Sequence, residues 1–234
     1  MNNPKISIVT VCFNAEKTLE KTIQSVINQT YNNIEYIIID GASTDGTIDI
    51  IKKYEDKISY WSSEPDKGIY DAMNKGIKAA TGEYIALLNA GDWYELKCIS
   101  EIVEAIKKQP EVDVIHAMIR ILTASGDDFL WIYGYSHLML PKTMIAHPTC
   151  FVKKSLYDKH RYNLRYKSAA DYDLFLTLFQ EGCKFHFIEA VLGNYILGGM
   201  SDSKISKQET IKIKYRHGFV SFFGFILRYI YYSL

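Results

Sequence analysis

The sequence predicts an α/β fold: a mostly parallel sheet covered by helices on both faces, followed by a helical tail. Three observations carry this. Short β-branched runs alternate with segments of helical period through the first half of the chain, as in successive strand–helix units. The runs are continuously apolar, as strands buried on both faces are. Polar loops follow the strands, where open α/β sheets hold their ligands.

The elements follow in order. Ile6 to Phe13 is a buried strand, and Glu16 to Asn28 places Leu19, Ile23, Val26 and Ile27 on one helical face. Ile34 to Ile39 is a second strand and Ile48 to Tyr54 a second helix, which Asp45 or Thr44 could cap. Ile58 to Ser62 is a short third strand, and Gly68 to Ala80 a helix with Ala72, Ile77 and Ala80 facing in. Glu83 to Leu88, Leu96 to Lys108 and Val112 to His116 read as strand, helix and strand. Regularity then breaks down: Ile119 to Leu140 reads as irregular strands around Ser125-Gly126-Asp127-Asp128. Ala169 to Glu181 is a helix, and strands are expected near Lys184 to Ile188 and Val191 to Leu197. The expected organisation is one domain over residues 1–203 and a separate tail over 204–234.

Composition narrows the function classes. The 234 residues carry 27 basic and 27 acidic side chains, a balance that disfavours a general nucleic-acid binder. Four cysteines, Cys12, Cys98, Cys150 and Cys183, are scattered without a Cys-x-x-Cys pair. That argues against a zinc site and a disulfide scaffold and fits a reducing compartment such as the cytoplasm. The N-terminus runs straight into a strand, so no signal peptide is expected. No stretch of uncharged apolar residues is long enough for a membrane span.

The strand ends hold the chemistry. Phe13-Asn14 follows strand one, Asp40 strand two, Glu64-Pro65-Asp66-Lys67-Gly68 strand three and Asn89-Ala90-Gly91-Asp92 strand four. In a parallel sheet all four loops fall on one edge and converge on one crevice. Asp40 precedes its turn, so helix capping does not account for it, and it reads as a ligand contact.

Taken in order, these motifs resemble family 2 glycosyltransferases of the GT-A fold. The resemblance rests on Ile6 to Glu16, Asp40 to Thr47, Asp71-Ala72-Met73-Asn74-Lys75-Gly76 and Thr81-Gly82-Glu83-Tyr84-Ile85. Ala169 to Leu176 and Gly198-Gly199-Met200-Ser201 complete it, so it covers roughly residues 4–201. It implies an inverting enzyme that moves a sugar from a nucleotide diphosphate, here a UDP-sugar, to a hydroxyl. The implied acceptor is lipid-linked or a saccharide, in bacterial surface-polysaccharide synthesis. A catalytically silent nucleotide-sugar binder is the rival reading, because family acids are missing at Gly41 and Gly91.

Residue by residue, the resemblance implies that Phe13 stacks on the nucleobase, against an ordinary core Phe. Asn14 belongs to the same loop. Asp40 would accept from a uracil N–H, and Asp66 would frame the nucleotide or cap the following helix. Asp92, with Asn89 as a neutral donor, would hold Mn²⁺ or Mg²⁺ on the diphosphate, or else cap its turn. Asp171 would be the general base, at a helix start whose dipole also favours a carboxylate. Asp173, two positions on, should point elsewhere. His147 would line the acceptor site, and Gly199 would belong to a loop closing over the diphosphate.

The tail places Lys204, Lys207, Lys212, Lys214 and Arg216 before the aromatic run Phe219 to Tyr232. That mix suits a helix lying at the inner face of the cell membrane. Packing onto the domain, or onto a second subunit in a homo-oligomer, is the competing reading.

Overall fold

A computed structural model of the protein describes residues 3–123, 128–198 and 203–232. The first four major strands are β1 (Ile6–Cys12), β2 (Ile34–Asp40), β3 (Tyr60–Ser63) and β4 (Tyr84–Leu87). They run parallel in the order β3-β2-β1-β4. The sheet then turns mixed. It continues through β8 (Phe151–Lys153), β6 (Val114–Leu122), β9 (Phe185–Ile196) and the two-residue β5 (Trp93–Tyr94), with β7 (Phe129–Tyr133) paired to β6.

Both faces are packed, which is why the strands show no polar alternation. Val9, Val11, Ile37 and Ile39 face α3 (Ile69–Ala79) and α6 (Ala170–Gln180). Ile6, Ile8, Tyr36 and Ile38 face α1 (Leu19–Ile27), α2 (Thr47–Lys53) and α4 (Cys98–Lys108). Gly76 explains one motif glycine: a Cβ there would lie 2.2 Å from Val9 Cγ1, so α3 reaches β1 only because position 76 has no side chain.

Several elements differ from expectation. The strand expected at Val112 to His116 runs on to Leu122, because β9 pairs alongside it. The two late strands are one, β9, whose register shifts against Ala117, Met118 and Ile119 absorb the interruption. After the short α5 (Lys154–Lys159), α6 and β9 come α7 (Lys204–Arg216) and α8 (Phe222–Tyr231). The packed unit extends past residue 204. Ile211 and Ile213 of α7 are buried, Ile213 within the α3–α6 core, whereas α8 has no buried residue. Among the described residues, no helix is long and apolar enough to cross a membrane.

Candidate active site

The first two strand-end loops are tied together by their own side chains. Asn14 adopts the left-handed region (φ 48°), where its N–H donates to Ser43 Oγ (2.7 Å) and its Oδ1 accepts from the Thr44 N–H (2.9 Å). Ala42 is left-handed too (φ 64°), a conformation that costs a non-glycine residue about 1–3 kcal/mol and marks functional turns. Asp45 accepts from the Thr47 N–H (3.0 Å), so it caps α2 as its position suggests.

Asp40 ends β2. It is wholly buried, and its carboxylate accepts from Ser43 N–H (2.9 Å), Ser43 Oγ (2.5 Å) and Ser63 Oγ (2.6 Å). A carboxylate so enclosed organises the loops after β2 and β3. The outer surface belongs to its neighbours. Phe13 is 64% exposed, so the core reading of this ring fails. A Cβ on Gly41 would lie 3.4 Å from Phe13 Cδ2 and 2.6 Å from Asp66 Oδ2. The Asp66 carboxylate therefore sits over Gly41, next to the open aromatic ring. Its Oδ1 accepts from the Gly68 N–H (2.7 Å) at the start of α3, so it serves the helix as well.

The fourth loop is closed. Asp92 is buried, and burial pushes its carboxyl well above the usual range, with the Ile196 N–H partly opposing this. Thr22 holds the loop, donating to the Asp92 carbonyl (2.7 Å) and accepting from the Gly91 N–H (3.0 Å). Asn89 Oδ1 is buried with no hydrogen-bond partner. An orphaned amide oxygen and a desolvated carboxyl on the same loop, three residues apart, are donors of the kind a hard cation takes. Among the described residues, no cluster of three or more His, Cys, Asp or Glu could hold a metal by itself.

At the other end of the crevice, Asp171 sits in the first turn of α6. Its Oδ1 accepts from Tyr70 Oη (3.1 Å) and from the Tyr172 N–H (2.9 Å). Tyr70 lies in the first turn of α3, directly after the Asp66 loop, so one helix joins the two halves of the site. The Tyr70 ring lies 5.4 Å from that of Tyr162, whose hydroxyl is 3.1 Å from both His147 Nε2 and Tyr157 Oη. Asn74 pins this segment to α3, donating to the Tyr162 carbonyl (2.9 Å) and accepting its N–H (3.0 Å). Burial pushes the His147 pKa down while the Asp171 carboxylate opposes the shift. His147 thus stands close enough to feel Asp171, in a wall of tyrosines.

Asp173 faces away, as its spacing requires. It is buried against Arg216 and His217, with His217 Nε2 at 2.9 Å. Gly199 lies outside the described residues.

One organising residue escaped the sequence reading. Glu209 of α7 accepts from the N–H groups of Lys167 (2.8 Å), Ser168 (2.9 Å) and Ala169 (3.1 Å), just ahead of the turn that carries Asp171. Its signal was available: it is the only acid in the α7 sequence, among four lysines and an arginine.

With this geometry in place, the comparisons with known proteins are direct. Residues 7–168 match the family model described as glycosyl transferase family 2. An uncharacterized glycosyltransferase of Mycobacterium tuberculosis is 32% identical over 178 residues, covering 74% of this chain and 68% of its own. A PGL/p-HBAD biosynthesis glycosyltransferase of Mycobacterium bovis is 27% identical, covering 89% and 83%. The fold resembles that of S. aureus TarS 1-349 in complex with UDP-GlcNAc, with a TM-score of 0.74 at 16% identity, covering 91% of this chain and 66% of that one. It also resembles a Pyrobaculum calidifontis mannosyltransferase in complex with GDP-Man and Mn²⁺, with a TM-score of 0.68 at 15% identity, covering 92% and 63%. This chain thus spans just under two thirds of the length of those two solved chains. The protein is a glycosyltransferase of GT-A fold and belongs to glycosyl transferase family 2.

Proposed function

We propose that the protein transfers a sugar, with inversion, from a UDP-sugar to a hydroxyl of a lipid-linked or saccharide acceptor in surface-polysaccharide synthesis. The observation that carries the reading is the placement of Asp171. Its carboxylate is held by Tyr70 at the end of α3 that follows the Asp66 loop, opposite the exposed Phe13 shelf. Phe13 stacks on the base and Asp66, over Gly41, meets its polar edge; Asn14 borders the phosphates. Asp171 takes the acceptor hydroxyl proton as that oxygen bonds to the anomeric carbon. The bond from that carbon to the diphosphate breaks, and the nucleotide leaves with the electron pair. His147 and the tyrosine wall orient the acceptor.

Asn89 Oδ1 and the Asp92 carboxylate, together with the diphosphate itself, would hold a divalent cation, which neutralises charge building on the leaving group. The mannosyltransferase complex with Mn²⁺ supports this assignment. Exposed Lys67, next to Asp66, adds a cation at the same rim. The tail places the protein at the cytoplasmic face of a membrane, where a lipid-linked acceptor would lie.

The deciding experiment is Asp171→Asn. It keeps shape but cannot take a proton, so turnover should drop by roughly 10²–10⁴-fold while UDP-sugar affinity holds. Unchanged turnover would remove Asp171 as the base. Absence of transfer by the wild type across donors and acceptors would favour the silent-binder reading, which the glycines at 41 and 91 support.

A further inference from the structure

Between α7 and α8 lies a cavity of about 200 Å³, lined by Ser206, Lys207, Thr210, Lys214, Arg228 and Tyr232 among others. Three cations and three hydroxyls therefore line one small space. No carboxylate of either helix answers them, because the one acid in α7 is Glu209, which is committed to the Lys167–Ala169 backbone, and α8 has none. Lys214 Nζ donates one hydrogen bond to the Lys142 carbonyl (2.7 Å) and lies 5.9 Å from the centre of the Tyr172 ring. Burial and the charge of Arg228 push the Lys214 pKa down, the mark of like charges packed without a counter-ion.

The helix that contributes Arg228 also presents an apolar ridge. Phe223 is 79% exposed, Leu227 71%, Ile230 53% and Tyr231 75%. Their spacing of three to four puts them on one side of α8. A cationic pocket edged by an exposed aromatic and aliphatic ridge matches an amphiphile with an anionic head. A phosphate group, with several oxygens sharing its charge, suits three cations and three hydroxyl donors better than a single carboxylate does.

We propose that this pocket binds the phosphate group of a membrane lipid, with the α8 ridge entering the acyl layer. The inference rests on the peripheral-membrane reading of the tail and names the ligand and residues of that contact. It also distinguishes cations by position: Lys207, Lys214 and Arg228 line the pocket, whereas Lys212 lies over the Tyr229 ring.

The test uses the full chain in co-sedimentation with phosphatidylcholine vesicles, with and without phosphatidic acid, alongside calorimetric titration with inorganic phosphate. Wild type should bind the phosphatidic acid vesicles. The double variant Lys207→Ser/Arg228→Ser should bind about tenfold or more weakly, and Lys212→Ser within about twofold of wild type. Phe223→Ser/Leu227→Ser should lose the vesicles and keep the response to inorganic phosphate. All these side chains are exposed, so thermal midpoints should match wild type. Equal losses from Lys212→Ser and the pocket variants would mean diffuse charge attraction and overturn the proposal. Vesicle binding that survives the pocket double variant would overturn it and leave the membrane reading standing. A wild type that responds to inorganic phosphate and ignores vesicles would overturn the lipid assignment and the membrane reading together.

Discussion

Single residues here do two kinds of work, and burial separates them. Phe13 lies open at the surface beside Asp66, while Asp40 spends its carboxylate on Ser43 and Ser63. Asp40→Ala should therefore cost stability first, about 1–3 kcal/mol for unpaired buried donors, and weaken UDP through the displaced loops. Chemical denaturation set beside UDP calorimetry checks this; lost affinity at unchanged stability would return Asp40 to direct contact. His116 is a second buried case. It is fully enclosed with both ring nitrogens unpaired, stacked on Phe187 and facing His137 and His186, and burial lowers its pKa from 6.5 to about 3. Below pH 6.5 the unfolded chain takes up a proton that the folded chain refuses until about pH 3. Stability at neutral pH is thus lost progressively as pH falls through that window, at up to about 1.4 kcal/mol per pH unit for this group. His116→Phe should flatten the fall of the thermal midpoint between neutral pH and the acid end of the window. An unchanged slope would place the acid sensitivity elsewhere.

At the scale of elements, the tail divides into two helices with different duties. α7 is built into the packed domain: Ile213 is buried in the α3–α6 core, and Arg216 and the following His217 hold Asp173. Glu209 holds the backbone that leads into Asp171. Glu209→Ala should lower stability by about 1–3 kcal/mol and reduce kcat more than it changes donor KM, because the base side moves while the nucleotide shelf does not. Glu209→Gln should recover part of kcat. Steady-state kinetics with both variants tests the split; a rise in donor KM alone would contradict it. Ending the chain before Lys204 should destabilise the whole fold. Ending it before Phe222 should leave the thermal midpoint nearly unchanged, since α8 has no buried residue.

For the whole molecule, the crevice joins two halves of unlike character. A parallel half carries the Phe13, Asp40 and Asp66 loops, and a mixed half carries the tyrosine wall and Asp171, with α3 bridging them through Tyr70 and Asn74. Ligand that binds only the folded state raises the unfolding midpoint in proportion to occupancy. UDP with Mn²⁺ should therefore raise the midpoint more than UDP alone, a chelator should erase the difference, and Asp92→Asn should remove the chelator sensitivity. Differential scanning fluorimetry reads all three. A midpoint that ignores the chelator in wild type would point to neutralisation by Lys67. Lys75 is less free for that duty, being paired with Glu64 (3.1 Å).

By itself the sequence determined the α/β class, the strand-end edge and the helix start that carries Asp171. Those depend on local apolar runs and on short motifs whose spacing survives any packing. It also placed Asp173 away from Asp171, because helical period is a local property. Tertiary structure alone decided which carboxylates are spent inside. Asp40 lies 23 residues from its partner Ser63, Glu209 about 40 from the backbone it holds, and Asp171 lies 101 from Tyr70. No local period encodes such pairings. It likewise decided that β9 is one strand and that α7 belongs to the core, because bulged pairing and helix docking depend on which surfaces meet after the chain has closed.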